Sequence, residues 1–122
     1  MTLLLAVGLT AVVAISLTRA QQDDPLDPLR VAADTHKLAF ENAFLRVLEV
    51  QLPPGKSEPR HRHPHGLSIY FTDWQSKATA DGGQPSIGRR TAGSFVWNEA
   101  VTHTVENVGT TEARILRVEL KF

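Results

Sequence analysis

The sequence contains no cysteine, a single methionine and no excess of either charge, with 13 Lys and Arg against 13 Asp and Glu in 122 residues. Without cysteine a lipoprotein anchor is excluded, and an oxidising compartment would find no thiol to act on. The balanced charge gives no indication of nucleic acid or of an anionic membrane as a partner. A chain of this length has room for one domain with a single core.

The only long apolar run lies at the amino terminus, from Leu3 to Leu17. At about 15 residues it is shorter than the roughly 20 residues that a membrane span needs, and it has the size of a signal-peptide core. Small residues at Thr18 and Ala20 suit cleavage before Gln21. Residues 1–20 are therefore predicted to be a signal peptide of a periplasmic or secreted protein, with no stable membrane insertion after cleavage. An uncleaved anchor is the alternative.

The segment 21–36 is polar, with four aspartates and two prolines. This composition predicts a linker or extended arm. His36, at its end, is expected to lie on the surface. The ordered domain is predicted to span residues 37–122.

Helix signals are lacking in the part that follows the leader, whereas strand signals recur. Residues 46–52 alternate, with Leu48, Val50 and Leu52 on one side of a half-buried strand. The tripeptide at 81–83, Asp-Gly-Gly, is typical of a hairpin, and residues 114–122 alternate again. Short strands separated by turns predict an all-β sandwich or barrel.

Four of the five histidines occur in two groups. His61, His63 and His65 lie at two-residue spacing after a Pro-Pro-Gly turn, and His103 follows with Asn107 behind it. In a strand His61 and His63 point the same way, and a hairpin partner that carries His103 would complete a facial three-nitrogen site. Such a site suits a divalent transition ion (Fe, Zn, Mn, Ni or Cu) and leaves positions open. Solvent-exposed, idle histidines are the alternative.

The spacing of these groups resembles the two motifs of the small single-domain cupins. Five residues separate Gly55 from the His61-x-His63 pair, and Gly93 leads to His103 and then Asn107. The proline and glycine usual in the second turn are replaced around residues 99–101. The resemblance runs from about residue 40 to residue 122, and it implies a single jelly-roll barrel, the double-stranded β-helix, after the leader.

One departure from the cupin pattern concerns a glutamate that usually follows the H-x-H pair, where this chain has Leu67 and Ser68. Three outcomes are open: a three-His centre, His65 in place of the carboxylate, or a barrel without metal. Pro64 beside His65 makes a regular strand doubtful, so we expect His65 next to the site or exposed rather than on the ion. Glu106 lies on the wrong strand face to substitute.

Other side chains are expected around the site or on the surface. Asn107 is expected to order a turn or to hydrogen-bond a ligand ring, and Trp97 and Phe95 either line a pocket above the ion or pack in the core. Arg62 is expected to be exposed, as are Arg89 and Arg90, either of which could bind an anionic substrate at the mouth.

Two classes of function follow from the resemblance. The first is a metal-dependent oxidoreductase of the dioxygenase type, or a Lewis-acid enzyme, that acts on a small molecule, since some cupins with three histidines alone are thiol and diketone dioxygenases. The second is a module that binds or senses a metal or small ligand without turnover. We also expect a homodimer, because the strand from Leu116 to Phe122 would otherwise leave an open edge.

Overall fold

A computed structural model describes residues 23–122, so the predicted leader at residues 1–20 lies outside the described part of the chain. The described residues form one helical turn and nine strands. These elements are α1 (Pro28–Val31), β1 (His36–Glu41), β2 (Leu45–Leu52), β3 (Ser57–His63), β4 (Gly66–Tyr70), β5 (Trp74–Ala80), β6 (Ser86–Arg90), β7 (Phe95–Asn98), β8 (Val101–Asn107) and β9 (Ala113–Leu120).

The strands form two antiparallel sheets, with the orders β1-β2-β9-β4-β7 and β3-β8-β5-β6. Consecutive strands from β2 to β5 alternate between the two sheets, as do β6 to β9, so the chain winds around one shared interior. The prediction of an all-β domain is confirmed. In the described residues no helix has the length and apolar character that a membrane crossing would require.

Strand phase sets which side chains enter the interior. On β2, Leu48, Val50 and Leu52 are buried while Glu49 and Gln51 are exposed, as the alternation predicts. Leu52 joins a small apolar cluster at one end of the interior. The cluster consists of Leu52, Val105 and Ala113, with Trp74, Ala78 and Ile115 packed against it.

Strand β9 turns charged side chains to the interior, where a core strand would be expected to place apolar ones. Arg117, Glu119 and Lys121 are buried, whereas Leu116 and Val118 alternate with them on the other face. The strand also lies in the middle of its sheet, hydrogen-bonded to β2 and β4. The expectation of an open edge at β9 is therefore wrong, and the edges of this sheet are β1 and β7.

Two glycines serve definite steric purposes. Gly55, with φ of +78°, makes the turn that enters β3. Gly66 begins β4 where the chain passes close to β9, and a Cβ added there would overlap the carbonyl oxygen of Val118. The turn at residues 81–83 connects the paired strands β5 and β6, which confirms the predicted hairpin.

The polar segment before residue 37 packs on the barrel. Asp27 caps α1 by accepting from the Leu29 amide at 3.0 Å, and Pro28 supplies the first helical position. The amides of Thr35 and His36 both donate to the Ala32 carbonyl, which turns the chain inward. His36 is only 3% exposed, so its predicted surface position is wrong. Its side chain enters the interior because β1 pairs His36 with the inward-facing Val50.

Candidate metal centre

Four imidazoles meet in the barrel interior. His61 and His63 project from β3, and His103 from β8 lies directly opposite His61 in the strand register. The fourth ring belongs to His36 on β1. Ring centroids are 4.8 Å apart for His61 and His63, 4.7 Å for His61 and His103, and 5.2 Å for His36 and His61. We call His36, His61, His63 and His103 the histidine cluster.

The nitrogen atoms of the histidine cluster lie close enough together to surround one ion, and those of His61 and His103 are already at the spacing of bound ligands. The Nε2 atoms of His61 and His103 are 3.1 Å apart, and one nitrogen from each of His36, His61 and His63 lies within 4.8 Å of the others. Metal to nitrogen bonds of about 2.0 to 2.1 Å place neighbouring ligand atoms roughly 2.9 Å apart at right angles and roughly 3.3 Å apart in a tetrahedron. The donor set therefore fits a divalent transition ion.

Hydrogen bonds at Nδ1 determine which nitrogen of each ring is available. Nδ1 of His61 donates to the Pro59 carbonyl at 2.7 Å, and Nδ1 of His63 donates to Glu119 at 2.6 Å. Nδ1 of His36 lies 3.0 Å from the hydroxyl oxygen of Thr35, which is itself 3.1 Å from the Ala32 carbonyl. The rings of His61 and His63 thus carry hydrogen on Nδ1 and keep Nε2 free as a ligand atom.

A buried chain of ionic contacts supports His63 from behind. Nε of Arg46 donates to the second oxygen of Glu119, and the remaining nitrogens of Arg46 donate to both oxygens of Asp27 at 2.8 and 2.9 Å. The carboxylate of Glu119 is thereby shared between a guanidinium and an imidazole. Such outer contacts fix the orientation of a ligating ring and raise its basicity.

A second carboxylate, Glu58, lies against the histidine cluster. Its oxygens are 3.7 Å from Nε2 of His61 and 3.5 Å from Nδ1 of His36, and it is buried. Three positions separate Glu58 from His61, which in a regular strand would put them on opposite faces. The register of β3 against β8 shifts between these two residues, and this irregularity brings both to the interior.

Burial changes the protonation of these groups. Desolvation lowers the pKa of His36 to about 2 and that of His103 to about 3, and it also lowers the pKa values of His61 and His63. The imidazoles are therefore neutral near pH 7, which is the form that binds a metal ion. Burial raises the pKa of Glu58 to about 7.

Two residues predicted near the site, His65 and Asn107, lie outside the histidine cluster. His65 is outside the histidine cluster, with its ring 5.7 Å from that of Trp97. Asn107 is fully buried, but its side chain binds the Leu52 and Thr111 carbonyls and the Gly109 amide, so it orders the turn after β8 and makes no contact with a histidine ring. Of the two roles expected for Asn107, the structure shows the ordering of a turn, because backbone groups engage both ends of its amide.

The histidine cluster opens into a cavity of about 490 Å³. Trp97 lies at its rim, 51% exposed, and donates to Glu99 at 2.8 Å. Phe95 is 70% exposed on the outside of the sheet. The expectation that it lines the pocket or packs in the core is therefore wrong. Arg89 and Arg90 border a different depression and do not line this cavity.

Sequence reasoning missed His36, Glu58 and Glu119. His36 and Glu58 depend on a chain reversal and on a strand irregularity that composition does not reveal. Glu119 was hidden because the alternation of β9 offers a more apolar face, with Leu116 and Val118, as the apparent inner side. The charged residues Arg117 and Glu119, two positions apart on the same face of β9, were the one indication in the sequence of a polar interior there.

The fold and this geometry define the class of protein. No family model matches the sequence, and no curated protein matches it. Among solved structures, the chain is similar to a cupin domain from Bordetella pertussis Tohama I, with 25% identity, a TM-score of 0.65, and coverage of 71% of this chain and 92% of that one.

Two further likenesses are weaker in sequence. An RmlC-like cupin family protein with a double-stranded β-helix fold from Methanocaldococcus jannaschii has 16% identity and a TM-score of 0.56, over 70% of this chain and 80% of that one. A cupin superfamily protein from Desulfitobacterium hafniense DCB-2 has 13% identity and a TM-score of 0.52, over 70% and 74%. The protein is a small cupin by fold, which confirms the resemblance seen in its motifs.

Proposed function

We propose that this cupin binds one divalent transition ion through His61, His63 and His103, and uses it on a small molecule in the barrel as a dioxygenase-type enzyme. His36 and Glu58 lie close enough to complete the ligand set. The observation that carries this proposal is the approach of Nε2 of His61 and His103 to 3.1 Å, with Nδ1 of His61 and His63 engaged by acceptors.

The arrangement supports catalysis as well as binding. A bound ion in such a site would supply Lewis acidity or, if redox-active, a route for oxygen chemistry. The residues would hold the ring tautomers, exclude water from the apolar end of the cavity and place Glu58 where it can accept or return a proton. Sequence reasoning found no acid or base beside histidine, so Glu58 shifts the balance toward an enzyme rather than a binding module.

Metal content tests the proposal directly. Purified, tag-free protein is reconstituted with Fe, Zn, Mn, Ni and Cu in turn and analysed by mass spectrometry, and about one equivalent is expected for at least one ion. His63→Ala should abolish binding. Metal below a tenth of an equivalent in every case would contradict the proposal, and oxygen consumption with candidate substrates would separate an enzyme from a binding module.

Export is part of the proposal. The apolar run at residues 3–17 and the small residues before Gln21 support cleavage of a signal peptide and a periplasmic or secreted location. Expression with the native leader, followed by fractionation and intact mass measurement, should give a mature chain that begins at Gln21. Retention of the full-length mass in the membrane fraction would favour the anchor.

We also propose a homodimer, now through the outer face of the five-stranded sheet. An apolar row crosses all five strands in register, from Phe40 through Val47, Val118 and Leu67 to Trp97. Phe40 is 52% exposed at one end of the row. Exposed apolar area of this kind suits an isologous contact with a second copy.

Sedimentation tests this assembly. The wild type should sediment as a dimer at micromolar concentration and Phe40→Glu as a monomer. Ile87→Glu, at an apolar side chain 58% exposed on the other sheet, is the matched control and should remain dimeric. A monomeric wild type at high micromolar concentration would contradict the proposal.

A further inference from the structure

A buried cation lies in the cavity beside the histidine cluster. Arg117 is 5% exposed, and it follows the inward alternation of β9 one step before Glu119. Its terminal nitrogens donate to the Ser68 hydroxyl at 3.2 Å and to the Pro64 carbonyl at 2.8 Å. These two bonds hold the guanidinium in a fixed position among the cavity-lining residues.

One donor of this guanidinium is unused. Nε of Arg117 is buried and has no hydrogen-bond partner in the described part of the chain, and the same holds for the indole nitrogen of Trp74, which also lines the cavity. Buried donors without acceptors destabilise the folded protein. A ligand that brings acceptor oxygens would satisfy them.

The net charge of the site also favours an anionic ligand. The buried charged groups around the histidine cluster are three carboxylates (Asp27, Glu58, Glu119) and two guanidiniums (Arg46, Arg117). With neutral imidazoles and an ionised Glu58 these groups sum to one negative charge, and a divalent ion would leave one positive charge. A monoanion would then neutralise the site.

The position of Arg117 strengthens this inference. Ser68, which occupies one of the two places where the cupin pattern would have a glutamate, faces inward and accepts from Arg117. This part of the interior therefore carries a fixed cation where the motif would supply an anion. Once an ion occupies the histidine cluster, an anionic ligand beside Arg117 would offset the positive charge.

Part of the cavity wall is apolar. Leu52, Val105 and Ile115 line it together with Trp74. A volume of about 490 Å³ is in the lower half of the range of small-molecule sites, about 300 to 1,000 Å³. Such a space suits a compact organic acid rather than a polymer.

We propose that the ligand of this site is a small monocarboxylate, whose carboxylate accepts from Nε of Arg117 and whose apolar body lies against Leu52, Val105 and Ile115. The inference rests on the proposed metal site, because the ion makes the site net positive. It specifies the chemical class of substrate that the proposed function leaves open.

Matched acid and amide pairs test the proposal by calorimetry on metal-reconstituted protein. The probes are acetate and acetamide, 3-methylbutanoate and its amide, and phenylacetate and phenylacetamide. At least one acid should bind about tenfold or more tightly than its amide, since hydrogen bonds to charged groups contribute more than neutral ones. Equal affinity for every pair, or no binding of any acid, would overturn the inference.

Variants of Arg117 identify the group responsible. Arg117→Gln should lose the preference for the acid, and Arg117→Lys should retain part of it because the charge remains. Arg114→Gln, an exposed arginine on the same strand, is the matched control and should bind as the wild type does. An acid preference that survives in Arg117→Gln would assign the anion to the ion alone and overturn the role of Arg117.

Metal content, measured on every sample, keeps two failures apart. Full metal content without acid preference overturns this inference and leaves the proposed function standing. Absence of metal from the wild type overturns both. If Arg117→Gln does not fold, the comparison of acid with amide in the wild type and in Arg117→Lys still decides the matter.

Discussion

Replacement of Glu119 by glutamine should weaken metal binding through the tautomer of His63. The carboxylate accepts from two donors at once, Nε of Arg46 and Nδ1 of His63. A glutamine side chain has one oxygen and one NH₂ group, so only one donor can keep its acceptor. The charged Arg46 should retain the oxygen, which leaves the amide NH₂ facing His63.

The NH₂ group then favours the His63 tautomer with a bare Nδ1 and a hydrogen on Nε2. That hydrogen occupies the nitrogen needed for the ion. Loss of an outer carboxylate to a ligating histidine typically weakens metal affinity 10- to 100-fold, or about 1.4 to 2.8 kcal/mol. We expect Glu119→Gln to fall in this range.

Two measurements check the prediction. Competition with a chromophoric chelator gives the Zn²⁺ affinity, and long-range ¹⁵N–¹H NMR of the metal-free protein reports which nitrogen of His63 carries hydrogen. Asp27→Asn is the matched control, because it disrupts the same ionic chain at its far end. That control should lose stability, by about 3 kcal/mol if it behaves as other broken buried pairs do, with little change in affinity.

The result that would refute this reasoning is a Glu119→Gln variant with wild-type Zn²⁺ affinity and hydrogen still on Nδ1 of His63. Such a result would mean that backbone packing alone orients the ring. Equal losses of affinity in Glu119→Gln and Asp27→Asn would instead indicate a general loss of structure, and would also contradict the prediction.

Three further predictions concern stability and the choice of ligands. Gly66→Ala should destabilise the fold strongly in chemical denaturation, because its Cβ would overlap the Val118 carbonyl. Gly83→Ala is the control and should lose little stability, since the nearest neighbour of its Cβ would be at 3.3 Å. Comparable losses of stability in the two variants would contradict the steric explanation. His65→Ala should reduce metal affinity less than about tenfold, and a complete loss would make it a ligand. The metal-free protein should lose stability as the pH falls below about 6.5, because unfolding lets the histidine cluster bind protons. The raised pKa of Glu58 opposes this effect, but four histidines outnumber it, so the free energy of unfolding should fall by about 1 to 3 kcal/mol per pH unit. A melting temperature that rises on acidification to pH 5.5 would contradict this prediction.

The sequence was sufficient for the parts of the structure that depend on local patterns. Alternation located β2, the Asp-Gly-Gly turn located the β5 and β6 hairpin, and the spacing of His61, His63 and His103 predicted rings that the strand register does bring together. Each of these features depends on residues close in sequence or on a single strand pairing.

The features that were missed depend on context that local patterns do not contain. Glu58 enters the site because β3 departs from regular phase before His61, and His36 enters because the polar segment before it folds onto the barrel. Glu119 faces inward although the neighbouring positions are more apolar, because Arg46 and His63 provide partners that offset its burial.

The central position of β9 has a consequence for the order in which the site assembles. Its pairing joins Leu45 to Leu120, and the contact between His63 and Glu119 spans 56 positions. Pairings this distant in sequence make folding slow, on the scale of about milliseconds to seconds. Early in refolding an ion would meet only the adjacent His61 and His63. The pairing of β8 with β3 adds His103. Binding with full affinity then awaits the insertion of β9 between β2 and β4, because Glu119 on β9 orients His63. At saturating metal the rate constant of this last step is that of sheet closure and does not increase with ion concentration.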